Sequence, residues 1–269
     1  METYDDDLTV FAGSGAAPLP ATDEQGYVQH DGACIWYATY GSGVPVILLH
    51  GGFGNAENWG YQLPALLEAG YQAVLIESRG HGRSTRDARP LSYELMASDI
   101  LAVMDALKLE KAHVVGWSDG AIVALTLAMK YPARVLRVFS FGGSSEVAGV
   151  NEISDPPPVL RRIFGRHMRD YARLSATPDG FDEFAAAVDL MMKTQPNYST
   201  QDLGQIRAPV AIVHAEREEF VRPEHAEYLA RTIPAAEFVA MPGVSHFAPL
   251  QRPDQFNRAM IAYLTRATS

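Results

Sequence analysis

The sequence contains one cysteine, Cys34, among 269 residues. An intramolecular disulfide is therefore excluded, and so is any metal cluster built on several thiolates. Cys34 lies in an apolar-rich stretch and reads as a buried structural thiol. Long apolar runs are missing too: none reaches the roughly 18 residues that a membrane-spanning helix requires, so no membrane partner is expected. The first ten residues hold Glu2, Asp5, Asp6 and Asp7 and lack a basic start followed by an apolar stretch, which argues against a secretory leader. Positive charge is scarce. The chain has 22 Lys and Arg against 32 Asp and Glu, a formal net charge of −10. Such a surface repels phosphate backbones, and the nearest approach to a basic cluster, Arg161-Arg162, is too short to override it. Nucleic acid is not an expected partner, and a cytoplasmic location fits. Internal repeats and low-complexity segments are also absent.

What is present is an ordinary globular composition, 47% hydrophobic and 20% charged. The length suits one hydrophobic core with a modest insertion. Residues 1–25, rich in Gly, Ala, Pro and Asp without periodicity, read as a loosely ordered arm. Tyr27 to His30 and Cys34 to Tyr40 suggest a strand pair turned at Asp31-Gly32. Val44 to Leu49 is a short continuous apolar run, the pattern of a strand buried on both faces of a parallel sheet. The same pattern recurs at Ala73 to Ile76, His113 to Val115, Val135 to Phe141 and Val210 to His214. Between these runs, Trp59 to Glu68, Tyr93 to Leu107 and Ala121 to Lys130 have helical spacing. The alternation predicts an α/β fold with a doubly wound, mostly parallel sheet. It breaks between about 147 and 206, where Asp155-Pro156-Pro157-Pro158 precedes helical patterns at Leu160 to Leu174 and Phe181 to Met192. That stretch reads as a small helical lid inserted in a core made of 26–146 and 207–269. Afterwards come helix Glu224 to Ile233, strand Glu237 to Met241 and a last helix from about Pro253.

The chemistry concentrates at Gly116-Trp117-Ser118-Asp119-Gly120, directly after a strand and before a helix. A sharp strand-to-helix turn holds Ser118 in a strained conformation, and glycines are needed because side chains at the flanks would clash with neighbouring strands. A hydroxyl needs a base to become a nucleophile. Of the eight histidines, His246 follows the last strand and so shares the sheet's carboxyl edge with Ser118. His30, His113, His167 and His225 have no such placement and read as structural or solvated. An acid must orient the imidazole; the loop after Val210 to His214 offers Glu216, Glu218 and Glu219.

Five motifs in order, His50-Gly51-Gly52-Phe53, Ser78-Arg79-Gly80-His81-Gly82-Arg83-Ser84, the Ser118 turn, the acid loop and the His246 loop, resemble the α/β-hydrolase family. The resemblance covers residues 26 to 265 and is nearest the compact bacterial serine esterase, enol-lactonase and peroxidase-like branch. It implies a triad of Ser118, His246 and Glu218. The family usually has aspartate in the slot three residues before Val221, where this chain has Glu218; Glu146 is the alternative acid, and Glu216 and Glu219 read as solvated loop charges. The implied oxyanion hole is the backbone N–H of Asp119 with that of Gly52, and Phe53 and Trp117 are expected to line the substrate pocket. The arginine turn is expected to be structural, its arginines pairing with carboxylates such as Glu77.

The expected function is hydrolysis of a small-molecule carboxylic ester, thioester or lactone through an acyl-enzyme, with no metal and no cofactor. Perhydrolysis, carbon–carbon bond hydrolysis and cyanohydrin cleavage on the same triad remain open, as do a ligand receptor without turnover and a homo-oligomeric state. Asp119 carries a further expectation. Its side chain either stabilises the helix start or reaches the pocket and selects cationic substrates.

Overall fold

The computed structural model describes residues 4–266. Its frame is one eight-stranded sheet of β1 (Glu24–His30), β2 (Ala33–Tyr40), β3 (Pro45–Leu49), β4 (Gln72–Ile76), β5 (Ala112–Trp117), β6 (Val135–Phe141), β7 (Val210–Arg217) and β8 (Ala236–Ser245). The spatial order is β1-β2-β4-β3-β5-β6-β7-β8. Only β2 runs antiparallel, to both β1 and β4; the six strands from β4 to β8 are parallel. The sheet is doubly wound and mostly parallel.

Alternation along the strands divides the core. Ile47, Leu49, Val74, Ile76 and Val114 face one layer of helices, α3 (Tyr93–Ala106), α4 (Asp119–Lys130) and α8 (Pro223–Thr232). Val46, Leu48, Leu75, Val115 and Phe139 face the other, with α2 (Leu63–Glu68), α9 (Ala248–Gln251) and α10 (Pro253–Leu264). Because β3 to β7 are covered on both sides, both sets of positions are apolar and these strands read as continuous runs, while the edge strands β1 and β8 remain partly exposed. Strand β3 neighbours β4 on one side and β5 on the other, so the chain winds away from it in both directions. Ligands of such sheets lie at the carboxyl ends of the strands where the order reverses, here where the loops after β3 and β5 meet.

Three helices, α5 (Pro158–Leu174), α6 (Phe181–Thr194) and α7 (Thr200–Leu203), lie between β6 and β7. Phe181, Phe184, Val188 and Met191 of α6 pack into the core layer that contains α3 and α4. Isolated bridges pair Glu146 with Asn197 and Val150 with Val221, joining the segment after β6 to the residues after α6 and to the loop after β7. No helix among the described residues is long and apolar enough to cross a membrane.

The N-terminal segment departs from the expectation of a loosely ordered arm. Residues Thr9–Ser14 form a helix, α1, and Leu8 and Phe11 are each only 1% exposed. The Asp5 carboxylate accepts from the N–H groups of Val10 and Phe11 at 3.0 and 2.8 Å. Arg162, Arg166 and Arg169 of α5 donate to the carbonyls of Asp7, Gly13 and Ala12. Six residues are too few to display helical periodicity. The order comes from partners more than 140 positions away, and no local reading reveals them.

Candidate active site

Strand β5 delivers the chain into the turn at Ser118. Ser118 has φ 57° and ψ −121°, a backbone conformation that a side chain tolerates only where the surroundings impose it. A Cβ on Gly120 would stand 2.1 Å from the carbonyl oxygen of Leu49 on β3, and one on Gly116 2.3 Å from the carbonyl of Gly120. The first clash is with a neighbouring strand, as anticipated; the second is with the helix that the turn starts. Ser118 itself is half-buried, so its hydroxyl remains reachable.

Strand β8 extends to Ser245, further than the sequence pattern suggests, and ends one residue before His246. The imidazole Nδ1 stands 2.5 Å from Glu218 Oε1, and the two side chains are 4% and 1% exposed. Burial alone would lower the pKa of His246, but the charge and hydrogen bond of Glu218, with Glu219 and Asp119 adding to them, raise it above the usual 6.5. For Glu218, burial works toward a higher pKa and is outweighed by His246, so the carboxyl titrates below its ordinary value. The N–H of Phe220 also donates to Glu218 Oε1 at 3.0 Å. Glu146, the alternative acid, is paired with His225 at 3.7 Å and not with His246. It lies beyond the end of β6, and its side chain is 47% exposed.

Glu216, near the end of β7, is exposed as a solvated charge would be, whereas Glu219 is half-buried and departs from that expectation. Glu216 accepts from the N–H of Gly243, and Glu219 Oε2 accepts from the backbone N–H of His246 at 2.9 Å. Trp117 lines the pocket as expected, and in addition its indole N–H donates to the His246 carbonyl at 2.7 Å.

Ser118 and His246 open into one cavity of about 740 Å³. Its floor includes Gly52, Phe53 and Asp119, and the insertion supplies Ile163, Phe164, His167 and Met192. Phe53 meets Phe164 and Phe184 edge-on, joining the loop after β3 to α5 and α6. The Gly52 backbone lies against Asp119: a Cβ there would be 2.7 Å from Asp119 Oδ2. Asp119 is the first residue of α4, so its N–H has no partner four residues back in the helix. The structure therefore brings Ser118, His246, Glu218, Gly52, Asp119, Phe53 and Trp117 together.

The Asp119 side chain does more than begin a helix. It is buried in the cavity wall, accepts from the Tyr93 hydroxyl at 2.8 Å through Oδ1, and has no hydrogen-bond partner at Oδ2. Burial pushes its pKa up to about 6, against the opposing effects of Tyr93 and His246. Sequence reasoning missed Tyr93, whose helical spacing says only that it faces the core, and misplaced His167, which borders the cavity from α5. His50 fixes the approach to Gly51: its Nε2 accepts from Ser78 N–H, so Nδ1 carries the proton and donates to the Gly51 carbonyl. In the arginine turn, Arg83 pairs with Glu77 and Glu57, and Arg79 with Asp99, as a structural role requires. No group of three or more His, Cys, Asp or Glu among the described residues is arranged to hold a metal ion.

The sequence profile of the alpha/beta hydrolase family matches residues 46–259. Serine hydrolase BPHL of Homo sapiens is 28% identical over 244 residues, 85% of this chain and 82% of that protein. The 2-hydroxy-6-oxo-6-phenylhexa-2,4-dienoate hydrolase of Burkholderia cepacia is 25% identical over 257 residues, 83% of this chain and 88% of the other. The solved structure of an N-acyl homoserine lactone degrading enzyme superposes with a TM-score of 0.70 at 26% identity. That match covers 88% of this chain and 100% of the other.

Proposed function

The chain belongs to the alpha/beta hydrolase family and is an enzyme that hydrolyses esters or similar bonds; we propose that it cleaves a small carboxylic ester, thioester or lactone through an acyl-enzyme on Ser118. The observation that carries this reading is the strained Ser118 sharing one cavity with His246, whose Nδ1 is held by a buried carboxylate.

His246 Nε2 takes the Ser118 proton as Oγ attacks the scissile carbonyl. The carbonyl π electrons move onto oxygen, where the N–H groups of Gly52 and Asp119 stabilise them. Collapse expels the alcohol or thiol, which takes the proton from His246. Water then repeats the cycle on the acyl-serine, and the acid is released. Glu218 keeps the proton of neutral His246 on Nδ1 and supports the imidazolium that forms at each attack.

The wall supports a substrate with an apolar body, and Asp119 supports one that carries a cation near the scissile carbonyl. In a water-poor cleft an ammonium–carboxylate contact outweighs most neutral ones. The same carboxylate disfavours an anionic substrate such as the dienoate named for the Burkholderia relative, and so weighs against carbon–carbon bond hydrolysis. A receptor without turnover is separated from an enzyme by one assay. Wild type should hydrolyse p-nitrophenyl acetate, and Ser118→Ala should lose turnover by a factor on the order of 10⁶. An alanine variant close to wild type removes Ser118 from the chemistry, and an inert wild type favours the receptor.

A further inference from the structure

We propose that Glu219 is a positioning residue for His246, fixing the backbone of the base and adding a second negative charge beside its ring; the proposal rests on the reading of His246 as general base. All three polar handles of His246 other than Nε2 are engaged. Nδ1 is bonded to Glu218 Oε1, the carbonyl accepts from Trp117 Nε1, and the N–H donates to Glu219 Oε2. Two consecutive carboxylates thus hold one residue, one by its ring and one by its main chain.

That arrangement is not what neighbouring side chains usually do. Along an extended strand successive side chains point to opposite faces. Here β7 has ended at Arg217, and the following turn is closed by Phe220 N–H onto Glu218 Oε1. Both carboxylates therefore reach across to the residue after β8. Phe220, not Glu219, borders the cavity, so Glu219 acts through His246 and not on substrate. A neutral acceptor would satisfy the His246 N–H equally well in geometry; the carboxylate makes the bond charge-assisted and places charge near the ring.

The charged and titratable groups whose fields reach the His246 ring come from three elements. The loop after β7 supplies Glu218 and Glu219, the start of α4 supplies Asp119, and β7 supplies His214. The rings of Trp117, Phe141, Phe220 and Phe247 cover the remainder. In surroundings this apolar the few charges present are weakly screened, and removing one is felt at the imidazole.

The test titrates the His246 imidazole by NMR in the Ser118→Ala background, with and without Glu219→Gln, alongside the pH profile of kcat/KM with Ser118 intact. Gln keeps an acceptor for the N–H and is nearly isosteric, so the fold should hold; thermal unfolding checks this. The expected result is an NMR midpoint lower by roughly half a pH unit or more in Glu219→Gln. The rising limb of kcat/KM should move the same way. Glu219→Leu, which removes the acceptor as well, should lower kcat at least about tenfold at the pH optimum, with KM little changed. An unmoved midpoint in Glu219→Gln, or wild-type kcat in Glu219→Leu, overturns the proposal. If instead the wild-type activity limb fails to follow the His246 titration, the general-base reading fails, and the NMR midpoints still decide whether Glu219 acts on the ring.

Discussion

Glu218 Oε1 and His246 Nδ1 stand 2.5 Å apart with both side chains almost completely buried. The separation joins the end of β7 to the end of β8. It shows that the longer glutamate side chain spans the gap that aspartate usually fills in the resembling family. Removing the charge while keeping the shape should therefore be costly. Glu218→Gln should lose turnover by about 10⁴, the figure known for the equivalent aspartate-to-asparagine change in a serine protease, with an unchanged circular dichroism spectrum. Glu146→Gln should remain near wild type. The reverse pattern would move the acid to the segment after β6.

The pH dependence follows from the same pair. His246 must be neutral to accept the serine proton, and its pKa lies above 6.5: the depressing effect of burial is outweighed by Glu218, then by Glu219 and Asp119. The kcat/KM profile should therefore rise through a limb above pH 6.5, and His246→Ala should abolish both activity and limb. Stability runs the other way. A raised histidine pKa contributes stability that is fully present below the unfolded value near 6.5 and is lost as pH rises through the folded value. The lowered Glu218 pKa contributes stability present above its unfolded value near 4.5 and lost as pH falls. Unfolding titrations should place the pair's largest contribution between those two values.

Asp119 should set selectivity by charge. Its carboxyl titrates near 6 because it is buried. At pH 7.5 an α-amino ester should be preferred over its uncharged isostere by at least about tenfold in kcat/KM, equivalent to 1.4 kcal/mol. The preference should fall as the pH drops through 6 and Asp119 takes up a proton. Asp119→Asn should remove it. Equal ratios in both proteins would leave Asp119 with its backbone role and its bond to Tyr93.

The N-terminal helix should contribute to stability as a core element does. Phe11 is 1% exposed, packed in the apolar layer that also holds Trp59 and Leu63. Phe11→Ala should cost about 3 to 5 kcal/mol in urea unfolding. A cost below about 1 kcal/mol would mean that α1 is docked only loosely.

The frame was legible because strands buried on both faces are unbroken apolar words, and because Ser118, His246 and Glu218 each sit within a few residues of a strand end. What stayed hidden depends on contacts between distant segments. Tyr93 meets Asp119 only once α3 lies beside α4. His167 borders the cavity only because α5 folds back over it. Glu219 looked like a surface charge because no pattern in 216–219 indicates that its partner is a main-chain N–H 27 residues on. The docking of α1 rests on arginines in α5 that, read alone, suggest only a solvated helix face.

Acylation of Ser118 with His246 as its base requires a serine that an electrophile can trap covalently. The most direct measurement is mass-spectrometric mapping of a fluorophosphonate adduct on the intact enzyme. Phosphonylation should add one group to wild type, confined to the peptide that contains Ser118, with a rate that follows the kcat/KM limb. Ser118→Ala should take up none, and His246→Ala should react far more slowly. An adduct on any other residue, or a Ser118→Ala variant that is labelled as fast as wild type, would remove Ser118 from the role of nucleophile.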